Sequence, residues 1–249
     1  MNLGKEKLTT QDAWSHRKGG IVDSILFEDL FLKYLEKIEN KICLEIGCVP
    51  GKFLSYISKN FGYFPEGIDY ITGTKQITEE TLKLNNIHQY NIYESDFTIW
   101  NSPKQYDLVC SFGFIEHFTG DLERKIIKSH IDLLKPGGKL ILDVPNFRFG
   151  QYFIHFLLNR ENLKKHNLKI MKLSYFTMVA KENNLKIIHL GFYGGFFEFW
   201  SANNLNLIRK IIFRVLKIIE KIIKKTPLKS FNNCFFSPYI VFIAEKQIG

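Results

Sequence analysis

The 249-residue chain predicts an α/β fold: an open sheet, mostly parallel with a late antiparallel strand, and helices on both faces. Two observations carry this. Short apolar runs alternate at a regular beat with stretches of helical periodicity, the signature of βαβ units. The runs are apolar throughout, as in YDLVCSF and KLILDV, which suits strands covered on both faces.

Residues 24–38 read as a helix, because Ile25, Leu26, Leu30, Phe31 and Leu35 recur at helical spacing. Residues 41–47 form a first strand, 51–60 a helix with Phe53, Leu54 and Ile57 inward, and 64–70 a second strand. A helix over 74–84, a strand over 87–95 and a strand over 106–112 follow. The helix at 122–134 is stopped by Lys135-Pro136-Gly137-Gly138, and 139–144 is the fifth strand. Beyond Asn146 the beat changes. Helices are expected at 152–158 and 174–183 with a basic loop between them, and late strands at 185–190 and 239–244. A basic helix, 204–225, lies between those strands. The domain expectation is an N-terminal helical segment or lid over 1–40, then one domain over 41–249 with a helical insertion at about 200–230.

Apolar content of 45% and charged content of 24% fit a globular domain with a sizeable core. Residues 1–20 lack an apolar leader, and no run has the length of a membrane span. Cys43, Cys48, Cys110 and Cys234 show neither CxxC pairing nor metal spacing, and read as reduced thiols of a cytoplasmic protein. The net charge is +9, of which residues 205–229 carry +7, from eight Lys/Arg and Glu220.

The stretch LEIGCVPGKFL, residues 44–54, ends the first strand. It lacks the three-glycine spacing of a dinucleotide loop. It also lacks the Ser/Thr after GK that a phosphate-binding loop places on magnesium. A ligand with a positive, non-phosphorylated tail survives this test. Glu45 can serve an ammonium, and Gly47 and Gly51 allow close backbone approach. Asp69 ends the second strand, where an acid can take both ribose hydroxyls. Asp96 and Phe97 end the third, placed for an exocyclic amine and a flat base.

LEIGCVPG, Asp69, Asp96 and LLKPGGKLIL, in that order, resemble the class I S-adenosylmethionine-dependent methyltransferases, a Rossmann-like family whose members include quinone, small-molecule and sugar methyltransferases. The resemblance covers roughly residues 41–146. It implies S-adenosylmethionine as cofactor, S-adenosylhomocysteine as product and no metal. It also implies a cofactor site built from Glu45, Gly47, Cys48, Gly51, Asp69, Tyr70, Asp96, Phe97, Ser111 and Phe112. Val49 stands where the family usually has glycine or alanine, which implies weaker cofactor affinity or a shifted loop.

The family places the segment Gly113–Phe118 beside the sulfonium, so the resemblance implies His117 as the first candidate for a general base, with Glu116 as its orienter or a cofactor contact; a His117 that only shapes the site is the reading weighed against it. Asn146 stands where acceptor-side residues sit in this family, or caps the next segment. Trp14, His16, Arg17 and Lys18 belong to a cationic run on a segment that commonly closes over the site in this family; Arg17 and Lys18 can hold an anionic acceptor group, or the run is a solvated polar lead-in. Ser111-Phe112-Gly113-Phe114 lacks the Pro-Pro-aromatic run of adenine and glutamine N-methyltransferases and the aspartate of rRNA ribose enzymes. No nucleic acid is therefore expected.

The expectation is O-methylation of a small polar metabolite, a sugar or a phosphorylated glycan precursor, in bacterial surface-polysaccharide or secondary metabolism. A membrane-associated lipid or quinone methyltransferase, a small-molecule N-methyltransferase and a non-catalytic binding protein are the alternatives. The basic helix 205–225 admits two readings: an insertion whose apolar face packs on the domain or a partner subunit, which is the expected one, or a peripheral contact with the inner face of a membrane.

Overall fold

The computed structural model describes residues 7–9, 17–102, 104–195 and 205–248. Strands and helices alternate through the first half: α1 (Glu28–Tyr34), β1 (Ile42–Ile46), α2 (Lys52–Phe61), β2 (Phe64–Asp69), α3 (Thr74–Leu84), β3 (Asn91–Glu94), β4 (Tyr106–Phe112), α4 (Gly120–Asp132) and β5 (Leu134–Pro145). Then come α5 (Phe149–Leu158), α6 (Arg160–Lys164), α7 (Leu173–Glu182), β6 (Leu185–Tyr193), α8 (Leu207–Ile223) and β7 (Tyr239–Lys246). The seven strands form one sheet in the order β3-β2-β1-β4-β5-β7-β6. β1 through β5 pair in parallel, and β7 runs antiparallel to both β5 and β6.

Successive strand residues face opposite sides. Leu44, Ile46, Leu140 and Leu142 join Ile127, Ile131 and Phe176 on one face. Cys43, Cys110, Ile141 and Val241 join Phe31, Leu54 and Ile57 on the other. Both faces are thus dry, which explains the uninterrupted apolar runs. Three of the cysteines are buried there as free thiols.

Several expected boundaries move. The helix expected over 24–38 shrinks to Glu28–Tyr34, because Phe27 takes φ 68° and buries its ring among Phe53, Phe112, Tyr193 and Tyr239. Packing of one aromatic ring overrides helical periodicity. Lys135-Pro136-Gly137-Gly138 is no turn but part of β5: Tyr106 faces Leu134 while Leu108 already faces Lys139, so the extra residues bulge out of the ladder. Gly138 is required there, since a Cβ would stand 2.9 Å from the Lys135 carbonyl. The strand expected over 87–95 is only β3, and the basic loop after α5 contains α6.

The largest departure concerns α8. Its polar stripe is as expected, and Asn206 caps it by accepting from the Arg209 amide. Its apolar surface, however, is only partly covered: α5 packs against the helix and half-buries Ile212, Phe213, Leu216 and Ile223, while Leu207, Ile208, Ile211, Val215, Ile218, Ile219 and Ile222 stay exposed. No helix of the described residues is long and apolar enough to cross a membrane.

Candidate active site

The strand order reverses between β1 and β4, and the crevice outside their carboxyl ends is where open α/β sheets hold ligands. Two connected hollows lie there, sharing Thr9, Arg17, Phe112, Gly113 and His117.

The first hollow sits over β1 and β2. Gly47 (φ +77°) and Gly51 (φ +87°) shape its loop, and a Cβ on either would meet Phe114 at 2.8 Å or Thr78 at 2.9 Å. Asp69 accepts from the Val49 amide at 3.3 Å and the Ile71 amide at 3.2 Å. Burial raises its pKa, and those amides oppose the rise. Tyr70 and Phe114 add flat apolar walls. The set has acids for hydroxyls and amines and glycines for close approach, which fits a nucleoside.

The N-terminal segment crosses this hollow. Leu8 donates its amide to the His117 carbonyl at 2.8 Å. The Lys7 ammonium meets Asp96 at 3.1 Å and lies 4.0 Å from the Tyr70 ring centroid. Arg17 donates to the Val49 carbonyl at 2.6 Å. With these side chains inserted, only about 40 Å³ stays open. At Asp96 burial opposes ionisation, but bonds from Thr98 and Lys7 outweigh it and hold the carboxyl below its ordinary value.

The second hollow, about 450 Å³, has a mixed lining. Leu26, Phe27, Phe53, Phe112, Phe147 and Tyr239 make much of it apolar and largely aromatic, with Phe53 and Phe112 stacked at 3.8 Å. Glu116, His117, Asp143, Asn162, Lys165 and His166 line it too, and the Phe147 ring lies 4.9 Å from that of His166.

Burial lowers the His117 pKa to about 4, so its imidazole is neutral at pH 7. Its Nδ1–H donates to the Lys165 carbonyl at 2.9 Å, which assigns the lone pair to Nε2. Nε2 lies 3.9 Å from Glu116 Oε1. Burial, with the nearby Asp143 charge, raises the Glu116 pKa well above normal. Asn167 donates to the Phe118 carbonyl at 2.9 Å and from its own amide to the Glu116 carbonyl at 2.7 Å, which fixes the turn bearing both groups. Asp143 accepts from the Gly113 amide at 3.0 Å, and burial pushes its pKa up to about 7. His166 donates Nδ1–H to the Asn162 carbonyl. Glu116, His117 and His166 each offer one atom within 4.8 Å of the others, and among the described residues this set can either pass protons or hold a metal ion.

Of the residues expected at the site, Gly47, Asp69, Tyr70, Phe112, Glu116, His117 and Arg17 line the hollows. Asp96 reaches the first one through Lys7, and Gly51 shapes the loop. Others belong elsewhere. Glu45 accepts from the Leu54 amide at 2.9 Å, so it anchors the first turn of α2 rather than lining the hollow. Cys48 is buried against Gly67 and Thr78. Ser111 bonds His130 at 3.1 Å inside the core. Phe97 is buried, edge-on to Phe114, which takes the ring-flanking place instead. Asn146 donates to the Cys234 and Ser237 carbonyls, tying the chain after α8 to the end of β5. Lys18 is exposed and lines neither hollow. Trp14 and His16 lie outside the described residues. Val49 is buried, so its side chain does not crowd the loop.

Sequence reading missed Lys7, Thr9, Asn162, Lys165, His166 and Asp143. Asp143 alone left a signal: an acid inside the apolar run KLILDV.

Residues 14–190 match a family model described as a methyltransferase domain. A ubiquinone biosynthesis O-methyltransferase of Coxiella burnetii is 26% identical over 162 residues, 61% of this chain. The match spans 66% of that relative's length. An S-adenosylmethionine-dependent methyltransferase structure from Archaeoglobus fulgidus superposes with a TM-score of 0.56 at 17% identity, covering 88% of this chain and 90% of the other. The N-methyltransferase NodS of Bradyrhizobium japonicum, in complex with S-adenosyl-L-homocysteine, superposes at 0.55 with 13% identity, covering 98% and 96%.

Proposed function

This chain belongs to the methyltransferase-domain family and is an S-adenosylmethionine-dependent methyltransferase, and from that premise we propose that it methylates a hydroxyl on a small acceptor with a flat apolar body. S-adenosylmethionine, when bound, supplies an electrophilic methyl group. Its expected holders are Asp69 for the ribose hydroxyls, Asp96 for the adenine amine, and the Gly47–Gly51 loop with Tyr70 and Phe114 around the nucleoside.

The single observation that carries the acceptor reading is the mixed, largely aromatic lining of the second hollow. Its six apolar residues suit a ring or prenyl-like body and offer few partners to the many hydroxyls of a sugar. Its polar residues supply proton acceptors. His117 Nε2, its tautomer set by the Lys165 carbonyl, receives the acceptor's hydroxyl proton as the oxygen becomes nucleophilic. Glu116 lies 3.9 Å away and shapes the space beside that nitrogen, although burial disfavours its charged form. Asp143, with a pKa near 7, is the second group able to take that proton. The apolar wall excludes water and aligns the acceptor for in-line displacement. The relative named a ubiquinone biosynthesis O-methyltransferase supports methylation at oxygen and an acceptor of the quinone class here.

A second reading, an anionic sugar or glycan precursor, draws on Arg17 and Lys165, which bring two cations to the same hollow.

The test measures S-adenosylhomocysteine release with two panels, hydroxylated aromatic or quinol compounds and sugar phosphates. Turnover confined to the aromatic panel is expected. Turnover confined to sugar phosphates would overturn the acceptor proposal and establish the second reading.

A further inference from the structure

Helix α8 leaves seven apolar side chains in solvent: Leu207, Ile208, Ile211, Val215, Ile218, Ile219 and Ile222, between 39% and 75% exposed. At 100° per residue they form one continuous face. A second exposed stripe flanks it: Lys210, Arg214 and Lys221, with half-exposed Lys217 between them. Glu220, the helix's only acid, is turned inward and bridged by Lys217 and Lys224 at 2.7 Å each. The exposed rim therefore carries only positive charge.

A solitary apolar face this wide marks an interaction surface. We propose that it docks on an anionic lipid bilayer, with α8 lying in the plane of the surface, isoleucines in the acyl boundary and lysines among the headgroups. Charge selects this occupant. A second copy of the chain would bring a +7 segment against another +7 segment, whereas anionic lipid neutralises it. The helix is too short and too charged to span, which leaves the in-plane arrangement.

The surface continues beyond α8. α5 packs against α8 and exposes Phe149, Tyr152, Phe153 and Phe156. Phe149 meets Phe235 at 5.0 Å, joining α5 to the segment after α8. Just beyond α5, Asn162, Lys165 and His166 wall the acceptor hollow. Docking through α8 therefore holds that hollow next to the bilayer. The docking itself is independent of the acceptor proposed above.

The experiment is co-sedimentation of the full chain with vesicles of phosphatidylglycerol and phosphatidylcholine in equal parts, and with phosphatidylcholine alone, at low and high salt. Two double variants accompany it, Ile218→Ser/Ile222→Ser and Lys210→Glu/Lys221→Glu. S-adenosylmethionine binding and circular dichroism on the same samples establish that each variant folds. The expected result is binding to anionic vesicles only, weakened by salt and lowered about tenfold or more by each variant. Absence of sedimentation at low salt overturns the proposal. So does sedimentation indifferent to the isoleucine pair. A dimer in analytical ultracentrifugation that the isoleucine pair dissolves overturns it too, and assigns the face to a second copy. None of these outcomes bears on cofactor binding, which the parallel measurement reads separately.

Discussion

The two hollows over the sheet are assembled by opposite strategies. The cofactor hollow takes its acids and glycines from residues just beyond the ends of consecutive strands: Gly47 after β1, Asp69 and Tyr70 at β2, Asp96 after β3. The acceptor hollow gathers Phe27, Phe53, Phe112, Asp143, His166 and Tyr239 from across more than 200 residues. A cradle at strand ends is written locally and tolerates change elsewhere. A cavity between distant segments depends on every segment that closes it.

The sharpest separation of the two halves is His117→Ala. Turnover is expected to fall by roughly 10²–10⁴, with cofactor affinity within a few-fold of the parent. Steady-state kinetics with calorimetry checks this, and unchanged turnover would make His117 a purely structural residue.

Asp69→Ala inverts the pattern. Loss of a buried carboxylate that accepts hydroxyls should weaken S-adenosylmethionine binding by roughly 10–100-fold. Calorimetry reads it directly, and undiminished affinity would remove Asp69 from the cofactor site.

Asn146→Ala probes how far the acceptor half depends on remote chain. It strips two carbonyls, of Cys234 and Ser237, of their donor. A loss of about 1–3 kcal/mol in denaturant unfolding is expected. Turnover should fall more than cofactor affinity, because Tyr239 directly follows the released segment.

Within that half, pH separates the two proton acceptors. His117, held at about 4, is already neutral throughout the range from pH 5 upward and adds no limb there. Asp143, raised to about 7, stays protonated below that value and ionises above it. If Asp143 takes the proton, turnover rises through pH 7, and Asp143→Asn flattens the profile. A profile already flat in the parent leaves His117 as the base.

The smallest effect belongs to the cofactor half. With Asp96 as the proposed holder of the adenine amine, Lys7 is its competitor through a partly exposed ion pair worth about 0–1 kcal/mol. Lys7→Ala should therefore tighten S-adenosylmethionine binding by up to about five-fold. Weaker binding would show that Lys7 clasps the cofactor instead of competing with it.

The sequence by itself determined the sheet, its parallel strands and the acids at the ends of β2 and β3. Each depends on a signal a few residues long: an apolar run buried on both faces, a glycine that must take positive φ, an acid at a strand end. The positive charge of α8 was legible for the same reason. Only the tertiary structure decided which polar residue faces which space. Glu45, Cys48, Ser111 and Asn146 stand where site residues were expected, yet a neighbouring amide, thiol packing, His130 or two carbonyls claim each of them first. Asn162, Lys165 and His166 join the site because Asn167 ties their loop to the turn bearing His117, across some fifty residues of sequence. The same holds for α8. Its periodicity specifies an amphipathic helix, but whether the apolar face is covered depends on how much sheet surface α1, α2 and α4 to α7 leave vacant. That is a property of packing, and no local pattern in the chain encodes it.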